Sequence, residues 1–155
     1  VQRLWQRLTG GHPAAAMDLL VKGRKVHVPS SAMGVARFQF PDLCEKALGP
    51  LDYLAVAHAF HTVVIENVPV LTPNRRDIAR RFINLIDTLY DTRVCLVISA
   101  DAEPHQLYAA GDGVDLFQRT ASRLIDMRSE AYQAERGKRV EASVSDSTAE
   151  ATPAT

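Results

Sequence analysis

Net charge, cysteine, long apolar runs and nucleotide-binding motifs are what this chain has little of. Its 18 Lys and Arg side chains are matched by 18 Asp and Glu, so the formal net charge at neutral pH is zero. That balance removes the usual electrostatic case for a nucleic-acid partner or an anionic membrane surface, and leaves only local basic clusters. No apolar run approaches the ~20 residues that span a bilayer, and no signal-peptide pattern precedes Trp5. The chain reads as soluble, with no transmembrane segment. The 2 cysteines, Cys44 and Cys95, fall in an expected helix and an expected buried strand. There they suit small apolar side chains in a reducing, intracellular compartment better than a disulfide framework.

Catalytic and ligand motifs are missing too. There is no G-x-x-x-x-G-K-[ST], and Gly111 and Gly113 have neither a strand before them nor a Lys after them. This chain alone is not expected to bind ATP. His58 and His61 form H-x-x-H, half of a metal site, but C-x-x-C and H-E-x-x-H are absent, so they read as a helix-end and a strand-start His. No G-x-S-x-G occurs, Ser99 has no identifiable base, and Asp101 and His105 share only a loop. Val63-Val64-Ile65-Glu66 has the form of the strand-plus-acid that holds Mg²⁺ in P-loop ATPases. Without a P-loop, Glu66 reads as a solvated strand end.

What is present is a single-domain composition, 155 residues with 46% apolar, enough for a real core. Its organising stretch runs from His61 to Tyr108. Val63-Val64-Ile65, stopped by Asn67 and Pro69, and Cys95-Leu96-Val97-Ile98 read as buried strands. Between them Ile78, Phe82, Leu85, Ile86 and Leu89 mark one helical face, which starts either with Asn74 capping Asp77 or with Pro73 as the first helical residue after Thr72. Thr62–Asn67 and Arg93–Ser99 are therefore predicted to be adjacent and parallel.

Before that unit, the chain opens inside a helix, VQRLWQRLTGG, whose stripe is Leu4, Trp5 and Leu8. An uncapped start on Val1 reads as the boundary of a fragment. A loop, HPAAAMD, leads to a hairpin in which Leu19–Val21 and Lys25–Val28 flank Lys22-Gly23-Arg24, and Val35–Phe40 alternates as a third short strand. Pro41 and Pro50 open two short helices, the second with Leu51, Leu54, Ala55 and His58 on its expected inner face. After a glycine-bearing loop, Phe117, Ala121, Leu124 and Ile125, continued by Arg128 and Tyr132, predict a helix of about five turns from Leu116 to Glu135. From residue 137 the composition predicts a disordered tail. The fold class expected is α/β: a small, mainly parallel sheet with packed helices and an N-terminal β-hairpin.

Two arginine groups stand out. Arg75, Arg76, Arg80 and Arg81 lie on the crossover helix; Arg119 and Arg123, at i and i+4, lie with Arg128 on the last. Such arrays hold a phosphate, an acidic partner surface, or their own carboxylates, and Asp77 with Arg81 and Asp126 with Arg123 are the internal pairs the spacing offers.

These residues also carry a resemblance. The runs RFQFPDLCEKALGPLDYLAVAHAFHTVVIENVPVL, ARRFINLIDTLYDTRVCLVISADAEPHQLY and FQRTASRLIDMRSEAYQ, with LWQRLTGG and GRKVHVP before them, resemble the C-terminal portion of the ZapE/Afg-type AAA+ ATPases. These are bacterial cell-division-associated ATPases and their mitochondrial relatives. The resemblance runs from Gln2 to Gln133, giving a domain over residues 1–136 and a separate tail over 137–155. It implies an intact protein that uses ATP and Mg²⁺ through Walker A and Walker B segments upstream of Val1, so this fragment alone is expected to be inactive and to hold no cofactor or metal. It implies homo-oligomers and protein partners, division-ring components or mitochondrial membrane proteins, in a cytoplasmic or mitochondrial setting. Arg80 and Arg81 with Asp87, and Arg119, Ser122 and Arg123, match the family's runs without an assigned role. Arg80, Arg81, Arg119 and Arg123 are thus the candidates for contact with nucleotide or a neighbouring subunit. The rival is a non-catalytic partner-binding or oligomerisation module.

Overall fold

A computed structural model of the chain describes residues 2–127. The expected tail from residue 137, and the helical row at Arg128 and Tyr132, lie outside the described residues. The order is α1 (Gln2–Thr9), β1 (Ala15–Val21), β2 (Arg24–Ala32), β3 (Val35–Gln39), α2 (Phe40–Cys44), α3 (Pro50–Ala59), β4 (Thr62–Val68), α4 (Arg76–Asp91), β5 (Cys95–Ala100) and α5 (Val114–Asp126).

The five strands form one sheet in sequence order, β1-β2-β3-β4-β5. β3, β4 and β5 are parallel, as the apolar runs predict, with α2 and α3 and then α4 as the crossovers. β1, β2 and β3 are antiparallel, so the sheet is mixed, only half of it parallel. The reason lies in two short turns, which can join only antiparallel strands. Lys22 and Gly23 have φ of 46° and 80°, Met33 and Gly34 53° and 77°, the left-handed pairs that two-residue hairpins require. Gly34 is further constrained by packing, since a Cβ there would meet the His61 ring at 2.6 Å. β1 also begins at Ala15, inside the segment expected to be a loop.

Alternation sends Ala36, Phe38, Val63 and Ile65 to one face, where α2 to α5 bury them with Val26 and Val28. Val35 and Val64 point to the other face and pack beneath Trp5 of α1. Arg37 pins that helix: it stacks 5.4 Å from the Trp5 ring, donates to Gln2 Oε1 at 2.7 Å, and pairs with Glu66. Glu66 is therefore a paired, mostly buried carboxylate and not the solvated strand end expected.

The main core is threaded by aromatic rings. Phe40 and Phe82 lie 5.8 Å apart, Phe82 and Phe117 5.8 Å, and Phe117 and Tyr108 5.5 Å, all four essentially fully buried. α4 supplies Phe82, Leu85, Ile86 and Leu89 as predicted, with Ala79 and Ile83 widening the stripe and Ile78 half-buried. Of the two possible starts the chain takes Pro73, opening a 3-10 turn over Pro73–Arg75 after an extended Thr72. Asn74 accepts from the Thr72 hydroxyl and does not cap Asp77.

α3 turns a different face inward from the one expected. Leu51 is 51% exposed and His58 is exposed, while Asp52, Tyr53, Val56 and Ala57 are buried. The helix is apolar nearly all round, so periodicity selects no face, and two polar anchors decide. The Tyr53 hydroxyl donates to the Leu43 carbonyl at 2.7 Å, and Asp52 accepts from the Gly49 N–H at 2.7 Å and from Arg24.

Candidate functional site

α4 and α5 pack side by side and leave a groove of about 360 Å³ between them, lined by Arg76 and Arg80 of the first arginine group and Arg119 of the second. Ala79, Ile83 and Leu116 line it together with Arg76, Arg80 and Arg119. Arg80 and Arg119 are exposed and make no hydrogen bond or ion pair among the described residues. Arg76 is tied back, its Nη1 donating to Asp112 at 2.9 Å.

One end of the groove is the start of α5. Gly113, at φ 80°, caps the helix, and no side chain satisfies its first N–H groups, so a positive helix end adjoins the arginines. The Gly111–Gly113 loop is fixed by Tyr108, whose hydroxyl donates to the Asp112 carbonyl at 2.8 Å. A Cβ on Gly111 would meet that hydroxyl at 2.5 Å, so the tight fold of the loop demands glycine there.

The other two candidates are engaged in the fold. Arg81 is half-buried and donates to the Cys44 carbonyl at 3.2 Å, at the C-terminal end of α2, where carbonyl groups favour a cation. Arg123 pairs across the helix interface with Asp87 and stacks 5.4 Å from the Tyr90 ring. The Tyr90 hydroxyl in turn donates to Asp126 at 2.5 Å. The internal pairs expected from spacing, Asp77 with Arg81 and Asp126 with Arg123, are thus not the ones formed. Each arginine lies on the side of its helix that meets a neighbouring element, and tertiary partners displace the i, i+4 and i, i+3 ones.

Sequence reasoning placed Arg76 in the first arginine group without making it one of the four candidates, and missed Asp112. A charged residue between two glycines ahead of a helix was visible, but nothing local pairs positions 36 apart in the chain.

The remaining sequence candidates are dispersed. His61 bonds Thr62 Oγ1 at 2.8 Å and the Met33 carbonyl at 3.1 Å; His105 meets Gln118 Oε1 at 2.5 Å; the Ser99 hydroxyl accepts from the Asn67 N–H at 2.8 Å. Among the described residues no three His, Cys, Asp or Glu side chains gather in a metal-binding arrangement. Burial pushes the Cys44 thiol well above its ordinary pKa, with Arg81 pulling weakly the other way, so Cys44 is a packed thiol and not a nucleophile.

The groove is lined by three arginines and three aspartates, Asp77, Asp87 and Asp112, so it offers no excess of positive charge to a triphosphate. No phosphate-cradling lysine loop is present. What the groove offers is two unengaged guanidinium forks beside a helix N-terminus, suited to a few oxyanions presented by something already held elsewhere.

Comparison with known proteins agrees with the runs quoted above. The family described as AFG1-like ATPase matches residues 1–136. The cell division protein ZapE of Escherichia coli K12 is 38% identical over 137 residues, covering 85% of this chain and 35% of that protein. Lactation elevated protein 1 homolog B of Danio rerio is 35% identical over 146 residues, covering 74% of this chain and 29% of that protein. The chain spans about a third of the length of these curated relatives. No solved structure matches it.

Proposed function

The chain belongs to the AFG1-like ATPase family, and from that premise we propose that it is a C-terminal module which completes or regulates an ATPase linked to cell division and binds its protein partners. ATP and Mg²⁺ are held by segments outside this chain, and the module acts on them only within the intact, homo-oligomeric protein. Its setting is the cytoplasm, or the mitochondrion in a eukaryote; no helix among the described residues is long and apolar enough to cross a membrane.

The observation that carries this reading is the contrast within each arginine group. Arg81 and Arg123 serve the fold, whereas Arg80 and Arg119 are left unengaged on one groove. Two guanidinium groups unpaired among the described residues are offered to an anion from outside, and the anions at hand are a nucleotide phosphate on another subunit or that subunit's carboxylates.

The rival reading, a non-catalytic partner-binding and oligomerisation module, draws on the other half of the same contrast, since half of the candidates are closed into the structure. Titration of this chain with Mg²⁺–ATP tests the first premise. No heat of binding is expected; micromolar binding would overturn the placement of nucleotide outside the chain.

A further inference from the structure

One element of the fold stands apart from the main core. The apolar cluster on the outer face of the sheet consists of Trp5 and Leu8 of α1 with Ala32, Val35, Val64 and Val97 of the strands. No α1 side chain belongs to the large cluster on the opposite face. α1 has only 8 residues, too few for a helix to hold its shape alone in water. It is therefore helical only while docked, so that leaving the sheet and losing the helix are one step.

Docking depends on two side chains. Trp5 is the buried wedge, set against Val35 and Val64. Arg37 of β3 is the peg: its guanidinium lies 5.4 Å from the Trp5 ring and donates to Gln2 Oε1 at 2.7 Å. Its pairing with Glu66 of β4 lies within the sheet, so the peg keeps its own anchor when the helix leaves.

At its other end α1 meets a glycine turn. Gly10 and Gly11 have φ of 62° and 75°, and the turn is closed by the Gly11 N–H on the Gln6 carbonyl and the His12 N–H on the Thr9 carbonyl, both at 3.1 Å. A Cβ on Gly10 or Gly11 would come no nearer than 3.5 Å or 3.9 Å to a neighbour, whereas Gly34 and Gly111 are wedged by the His61 and Tyr108 rings. The first pair can change φ and ψ without displacing a packed side chain, as a hinge requires.

We propose that α1 is a hinged latch, opening as a unit about Gly10-Gly11 while the main core stays folded. Opening uncovers the valines of β3, β4 and β5 and frees Arg37 from the ring and the amide it holds. Because the peg grips Gln2, a segment joined ahead of that residue in a longer protein pulls on the Arg37 contact before it reaches the sheet. The latch converts such a pull into exposure of an apolar stripe. It is independent of the anion role given to Arg80 and Arg119.

Hydrogen exchange of the full chain, followed by mass spectrometry without denaturant, tests this. The amides of Gln6 to Thr9 are those that the helix itself bonds. They are expected to exchange about tenfold or more faster than the central amides of β4 and α4. Leu8→Ala removes an apolar contact made only by the docked helix, and is expected to speed the α1 amides by roughly tenfold while leaving those of β4 and α4 unchanged. Ile86→Val, in the main core, is expected to do the reverse, speeding β4 and α4 and leaving α1 at its wild-type rate. Exchange of α1 and β4 at one rate, or Leu8→Ala speeding both together, overturns the proposal by making α1 part of the main folding unit. Rates at Gln6 to Thr9 that ignore Leu8→Ala overturn it too, since the helix would then fray from its end and not open as a unit.

Discussion

Arg24→Ala should destabilise this fold more than the position of Arg24 suggests. Its side chain is 56% exposed, yet the Asp52 carboxylate it meets is fully buried. Asp52 Oδ2 accepts from Arg24 and, at 2.7 Å, from the Gly49 N–H; Oδ1 is buried with no hydrogen-bond partner among the described residues. Removing the guanidinium leaves a buried carboxylate with one backbone donor. Breaking a buried pair in this way costs about 3–5 kcal/mol, and water access to Arg24 lowers the expectation to about 2–3 kcal/mol. Asp52→Ala removes a helix cap and a charge-assisted bond, about 1 and about 2 kcal/mol, but also removes the orphaned Oδ1, returning about 1 kcal/mol. Its net effect is about 2 kcal/mol. The double variant should match Asp52→Ala alone, because Arg24 then turns to water and Ala at position 24 removes nothing further. Urea unfolding at constant m-value measures all three. An Arg24→Ala chain within about 0.5 kcal/mol of wild type, or a double variant equal to the sum of the singles, would refute the reasoning.

Other perturbations separate packing from site. Phe82→Ala empties the middle of the aromatic row, 5.8 Å from two other rings, and should cost about 3–5 kcal/mol in the same assay. Gly34→Ala must hold a left-handed turn against the His61 ring, and should cost about 1–2 kcal/mol or more. Arg123→Ala should cost about 1 kcal/mol through Asp87 and Tyr90, whereas Arg119→Ala should leave stability within about 0.5 kcal/mol of wild type. The buried Cys44 thiol should resist a thiol reagent until the chain unfolds, while half-buried Cys95 reacts first. Because folding raises the Cys44 pKa, its contribution is intact below the ordinary thiol range, near ~8.5, and stability should decline as pH rises above it.

The parallel half of the fold was legible because its signals are local. Val63–Ile65 and Cys95–Ile98 are continuous apolar runs, and the α4 stripe has a clean helical period. The antiparallel half was only partly legible. Lys22-Gly23 announces a hairpin, but Met33-Gly34 puts a methionine in a left-handed turn, which composition does not advertise. The inner face of α3 was hidden because the helix is apolar all round and is oriented by Asp52 and Tyr53, whose partners lie on other elements. For the candidate site, residue type and spacing named four arginines on two helices that pack against each other. Which of the four the fold consumes depends on Cys44 and Asp87 reaching them from neighbouring elements, and no local pattern encodes that.

The central claim is that Arg80 and Arg119 are held for an anion outside this chain. Its most direct test is ATP turnover by the intact ATPase carrying Arg80→Ala and Arg119→Ala together, compared with wild type at saturating Mg²⁺–ATP. The account predicts a fall of roughly tenfold or more, of the order expected when charge-stabilising donors are lost, with the thermal midpoint unchanged. Wild-type turnover in that folded variant would contradict it and leave the module a partner-binding surface that never meets nucleotide.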